Sequence, residues 1–173
     1  WMICMMKMKK RRNKMKPKYN IYKPLNKENA GAALQFSYDE RKRAVFLEAA
    51  RQKGARMEIG NKEQFDWQAK LVFKIGTNDI GQLLLLIVGK TTEAKLIHKP
   101  ENGNHVAVLE IKKQTGTYDN YALKLSRTVK NADGKNETRS ISIFIDHHEM
   151  AILSHFFREA LTGILGFDDF MEE

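Results

Sequence analysis

The sequence predicts an α+β fold: a pair of antiparallel sheets, each followed by a helix. Three observations carry this. Runs that alternate apolar and polar residues occupy both halves of the chain. Each half then ends in a segment whose apolar residues recur at helical spacing. A residue cluster suited to starting a helix stands before each of those segments. At 173 residues, with 42% hydrophobic content, the chain is long enough for one domain with a real core.

The N-terminal segment, residues 1–28, holds ten Lys/Arg from Lys7 to Lys27 against one acid, Glu28. It reads as a basic, disordered arm that either contacts phosphates or serves as a solubilising or targeting tail. Residues 29–167 form the expected domain, and "DDFMEE", residues 168–173, forms a short acidic tail. The arm therefore accounts for the whole formal charge of +9. The arm lacks the serine-rich character of a transit peptide, so a bacterial or phage-infected cytoplasm is expected, with an organelle as the alternative.

Within the domain, "GAALQFSYD" alternates, placing Leu34, Phe36 and Tyr38 on one face. Asp39–Lys42 is turn chemistry, and Arg43–Arg51 is the returning strand. "FDWQAKLVFKI" reads as one strand from Phe65 to Ile75, with Trp67, Leu71, Phe73 and Ile75 on one side and Lys70, Val72 and Lys74 on the other. Thr77 is the expected N-cap of the first helix, with Asp79 in its first turn and Leu83, Leu84, Ile87 and Val88 at helical spacing. Strands follow at "AKLIHK", His105–Lys113, Tyr121–Thr128 and Arg139–Ile145, the last two joined by a loop centred on Asp133-Gly134. The final helix carries Ile152, Phe156, Ala160, Leu161 and Ile164.

"IDHHEM", Ile145–Met150, is the stretch that most resembles chemistry. Adjacent histidines on a helix point about 100° apart and do not chelate one ion together. Asp146 followed three residues later by Glu149 reads instead as a capping box. No helical pair of histidines one turn apart exists, so no metal or cofactor is expected. The single cysteine, Cys4, excludes an intrachain disulfide. "VGKTTE" lacks the first glycine of a phosphate loop, and Ser126, Ser142 and Ser154 lack a nucleophile-elbow context. The chain is not expected to be an enzyme. The apolar run Ile80–Gly89 is too short to span a membrane, which takes about 20 residues.

What remains is the sheet surface. Tyr38, Lys42, Arg43 and Phe46 in the first hairpin, Trp67, Lys70 and Lys74 in the third strand, and Lys112, Lys124 and Phe144 in the second half combine aromatic and basic groups. Aromatic faces that stack bases, ringed by lysines for phosphates, suit single-stranded nucleic acid. The same residues also fit a plain core with a solvated charged face.

"FDWQAKLVFKIGTNDIGQLLLLIVG" resembles the signature of the Whirly family at Phe65, Asp66, Trp67, Thr77, Asp79, Ile80 and Gly81. "LIHKP" and the terminal "RSISIFIDHHEMAILSHFFREALTGILGFD" are similar to that family's later segments, ending here in Leu165, Gly166, Phe167 and Asp168. "NAGAAL" agrees with its Lys-Gly-Lys-Ala-Ala-Leu segment at Ala32, Ala33 and Leu34, while Asn29 and Gly31 stand in place of the lysines. The resemblance implies two four-stranded antiparallel sheets with a helix after each, ββββα-ββββα. It also implies a homotetramer joined through its helices, for which Phe156, Phe157, Leu161 and Leu165 are the candidate contacts.

The resemblance further implies binding of single-stranded DNA with little sequence preference, in DNA protection, replication, recombination, repair or transcription. The alternatives are RNA binding or annealing on the same fold, and an oligomeric adaptor that binds protein.

Overall fold

The computed structural model describes residues 16–55, 64–100 and 103–167. Its first sheet is formed by β1 (Lys18–Lys23), β2 (Ala32–Asp39), β3 (Ala44–Arg51) and β4 (Leu71–Ile75), in that order, and is followed by helix α1 (Thr77–Ile87). The second sheet is formed by β5 (Glu93–His98), β6 (His105–Lys113), β7 (Tyr121–Lys130) and β8 (Asn136–Ile145), again in chain order, and is followed by helix α2 (His147–Leu165). Every pairing is antiparallel. The expected ββββα-ββββα architecture is the one observed.

One core joins the halves. Leu34 and Phe36 of β2, Val45 and Leu47 of β3, and Phe73 and Ile75 of β4 bury their side chains in the same cluster as Leu109, Leu123, Leu125 and Ile143 of the second sheet. Alternation then dictates the rest, because successive side chains on a strand point to opposite faces. Ser37, Phe46, Lys74, Lys112, Lys124 and Phe144 all have the outward parity. No described helix is long and apolar enough to cross a membrane.

The arm expected over residues 1–28 contains β1. "KYNIYK" alternates, and Ile21, 1% exposed, sits opposite Leu34 while Tyr19 packs against the core. Its lysines occupy an edge strand, where charge discourages pairing with another chain. The remainder of that arm, residues 1–15, and the acidic tail lie outside the described residues.

Two local expectations also change, and a third is met. The strand expected over Phe65–Ile75 begins only at Leu71, because Asp66 Oδ1 accepts a hydrogen bond from Ala69 N–H at 3.3 Å and folds the preceding residues into a turn. Helix α1 is capped by Gly76 rather than Thr77, with Asp79 Oδ2 accepting the Gly76 N–H at 2.8 Å. Helix α2 starts as expected: Asp146 is its extended N-cap and its N–H donates to Glu149 at 2.8 Å.

Candidate nucleic-acid interface

On the outer face of the second sheet, the ladder aligns Glu93, Lys112, Ala122 and Phe144 in one row. The next row is Lys95, Glu110, Lys124 and Ser142. Phe144 is 55% exposed, and among the described residues neither Lys112 nor Lys124 has an ion-pair partner. Lys95 does: its ammonium lies 2.8 Å from Glu110. That hydrogen bond holds the Glu110 carboxyl below, and the Lys95 ammonium above, their ordinary ranges. The acid is thus neutralised by one lysine while two others stay available beside an open ring. The small side chain of Ala122 between Lys112 and Phe144 leaves the ring face uncovered. Lys112, Lys124 and Phe144 are brought together as expected.

The outer face of the first sheet repeats the pattern. Lys18, Ser37, Phe46 and Lys74 form one row. The Lys42 ammonium lies 5.1 Å from the centre of the Phe46 ring, within cation–π range. Phe46, Val72 and Lys74 then meet Ile97, Lys99 and His105 in a groove of about 560 Å³ between β4 and the second sheet. This groove gathers apolar walls and lysines in one concavity.

Other candidates fall elsewhere. Tyr38 shares the inward parity of Leu34 and Phe36 and packs against the core, so the outward position expected for it is not observed. Trp67 leaves the strand and covers a small cluster of Ala33, Ala50 and Phe65. Lys70 is held by Glu48 at 2.8 Å. Arg43 occupies the β2–β3 turn at a positive φ of 43°. The sequence reading missed Tyr22, 43% exposed, whose ring lies 5.8 Å from Phe65, and Ile97 in the groove. The alternation of "KYNIYK" was the signal for Tyr22.

The start of α2 holds one further cluster. Ligand-type atoms of Asp146, His148 and Glu149 approach within 4.8 Å of one another. The Lys23 ammonium already sits on both carboxylates, 2.6 Å from Asp146 and 2.9 Å from Glu149. His147 turns away to Asp119, 2.9 Å distant, with its ring edge-on to Tyr121 at 5.3 Å. These groups tie β1 and the β6–β7 loop to the helix.

Of the expected oligomer contacts, Phe157 is not on an outer stripe. It is 2% exposed and meets Phe36 edge-to-face at 5.9 Å, because α2 packs against the first sheet as well as α1. Phe156 and Leu161 are partly buried, and Leu165 is 56% exposed. Ile152 on α2, Leu85 on α1 and Val88 at the C-cap of α1 are also exposed apolar residues.

Two antiparallel sheets, each closed by a helix and each presenting an aromatic–lysine row outward, define a class of sheet-platform proteins suited to binding extended strands. The model of the Whirly transcription factor family matches residues 27–156. The chain belongs to the Whirly family. Among solved structures it is similar to WHY1 of Arabidopsis thaliana, at 22% identity and a TM-score of 0.66, over 91% of this chain and 96% of that one. It is also similar to the plant transcriptional regulator PBF-2, at 20% identity and a TM-score of 0.62, over 91% and 95%. The MRP1/MRP2 structure from Trypanosoma brucei aligns at 18% identity and a TM-score of 0.61, over 89% and 97%. No curated protein sequence matches the chain.

Proposed function

We propose that this chain binds single-stranded DNA along the outer faces of its two sheets, without catalysing a reaction. The carrying observation is Phe144: an aromatic ring 55% exposed on a sheet face, with Lys112 in its row and Lys124 in the next. A ring left open to water on a regular strand is free to stack on a base, whose flat face matches it in size. The lysines neutralise phosphates and release counterions. Duplex hides its base faces, so single strands are the preferred substrate. Membership of a family described as transcription factors supports a role in transcription, with repair, recombination or replication as further settings for the same binding.

Assembly into a tetramer through the helices belongs to this reading. The exposed Leu85, Val88, Ile152 and Leu165 supply the apolar surface for it. RNA binding on the same faces is the second reading, since unpaired RNA offers the same base faces and phosphates. Titration of labelled single-stranded DNA, RNA of the same sequence and duplex at several salt concentrations tests both. Single strands should bind far more tightly than duplex, with affinity falling as salt rises. Equal affinity for single and double strands would sink the proposal.

A further inference from the structure

At the end of the molecule where β3 finishes and β4 begins, two arginines meet at the junction of the sheets, and a third stands opposite one of them on the neighbouring strand. Arg51, the last residue of β3, donates from Nη2 to the carbonyl of Ser140 on β8. Arg139, beside it on β8, donates from Nη2 to the carbonyl of Ala69 at 2.8 Å. Each guanidinium is thereby fixed by one hydrogen bond and keeps other donors free. Both line a concavity of about 230 Å³ together with Leu71 and Thr138.

The third arginine makes the arrangement unusual. Arg127 on β7 is the direct cross-strand partner of Arg139. Like charges directly opposite each other destabilise a ladder, and an anion bound between or beside them would relieve that opposition. Among the described residues none of the three has a carboxylate partner, and Glu137, on the same face of β8, forms no ion pair with them. All three are exposed, so an anion can reach them.

We propose that Arg51, Arg127 and Arg139 form a binding notch for a nucleic-acid backbone phosphate, separate from the outer aromatic–lysine rows. Arg127 and Arg139 have the inward parity of their strands, with Leu125 and Ile141, so the notch lies around the sheet edge from Phe144. A strand held there wraps from one side of the sheet to the other. This assignment rests on the proposed strand binding for its ligand, but its anion chemistry stands by itself. Guanidinium groups suit it, since their planar donors match phosphate oxygens in pairs.

Arg127→Gln is the discriminating variant, because Arg127 holds neither carbonyl. In chloride it should melt no lower than the wild type, since it removes a like-charge opposition. Millimolar inorganic phosphate should raise the wild-type melting temperature above that in chloride of matched ionic strength. Arg127→Gln should lose that rise and Lys124→Gln, on the outer face, should keep it. With a thymidine oligonucleotide, Arg127→Gln should reduce the salt slope by about 0.7, the share of one single-strand phosphate contact.

Identical phosphate responses in the wild type and Arg127→Gln would overturn the notch. A lost phosphate response with an unchanged oligonucleotide slope would overturn its assignment to a strand phosphate. A wild type that responds to phosphate but binds no oligonucleotide would defeat the proposed function and leave the anion site standing.

Discussion

Lys23 on β1 reaches Asp146 at the start of α2, 123 residues away in sequence, with its ammonium 2.6 Å from the carboxylate. The same nitrogen lies 2.9 Å from Glu149. A strand that composition assigns to a loose basic arm is thus clamped to the last helix as well as laddered to β2. Truncation should expose the difference. Removing residues 1–15 should leave the cooperative melt nearly unchanged. Removing residues 1–27 also deletes β1 and the buried Ile21, and uncovers the edge of β2. Circular dichroism should then show an unfolded chain, or one whose melting temperature has fallen steeply.

The clamp should also leave a mark on the pH dependence of stability. The hydrogen bond from Lys23 is the chief cause holding the Asp146 carboxyl below its ordinary value of 3.8. Burial opposes the Lys23 ammonium, but its hydrogen bonds to Asp146 and Glu149 outweigh that and raise it above 10.5. The Asp146 contribution is therefore present above pH 3.8 and lost as pH falls through the lower folded value. The Lys23 contribution is present below pH 10.5 and lost as pH rises through the higher folded value. Both partners are partly exposed, so the contribution is about 1 kcal/mol at neutral pH. Urea titrations of Lys23→Met should show that loss at pH 7 and a flatter acid limb than the wild type.

Phe144 and the two lysines near it should separate into different readouts. Phe144→Ala removes a stacking surface worth about 1–3 kcal/mol per base, a loss of roughly 5- to 150-fold in single-strand affinity. Its salt slope should stay the same. Lys112→Gln and Lys124→Gln should each lower the slope by about 0.7 while costing less affinity at high salt. Fluorescence anisotropy across a salt series reads both quantities. A Phe144→Ala protein with wild-type affinity would remove the ring from the binding surface.

Phe157 and Leu165 should behave oppositely although both are apolar residues of α2. Phe157 fills the core against Phe36, so Phe157→Ala should cost about 3–5 kcal/mol and be read in a denaturant melt. Leu165 is exposed, so Leu165→Asp should leave the protomer folded. If the helices join subunits, light scattering should show that variant running smaller than the wild type. An unchanged particle size would take Leu165 out of any subunit contact.

Periodicity made most of this fold legible, and composition obscured the rest. "KYNIYK" carries the same alternation as "GAALQFSYD", yet the lysines around it make residues 1–28 look like a solvated tail. Tyr38 shows the reverse error. Its spacing from Leu34 and Phe36 placed it inward, and only its aromatic character suggested an outward role. For Phe157, an outward subunit contact would need α2 to bury a single direction. The helix is packed against α1 and the first sheet, so two directions are buried. Lys112, Lys124 and Phe144 were recoverable because parity alone fixes them on one face. The approach of Arg51 to Arg139 was not, since it depends on how one sheet sits over the other, and the pairing of Arg127 with Arg139 depends on the β7–β8 register.

Gly31 gives the sharpest test of how this chain departs from the family pattern, which has lysine there. A Cβ at this position would run into the Gln52 side-chain oxygen and come within 2.6 Å of the Lys23 carbonyl. Gln52 has little room to move. It is 2% exposed, accepts Leu25 N–H at 2.8 Å, and donates to the carbonyls of Leu25 at 2.8 Å and Gly54 at 3.0 Å. This amide fastens the link between β1 and β2 to the end of β3, and displacing it leaves buried polar groups unpaired. Each such group costs about 1–3 kcal/mol, on top of the overpacking strain of about 1–3 kcal/mol. Gly31→Ala and Gly31→Lys should therefore both destabilise the fold. Gln52→Ala should lose stability too, but Gly31→Ala placed in that background should cost less than it does alone, because the tightest clash is gone while those with the Lys23 carbonyl and the Leu25 nitrogen remain. A double-mutant cycle by urea denaturation measures that coupling. Additive losses would show that the Gly31 backbone itself, rather than the Gln52 amide, excludes the larger side chain.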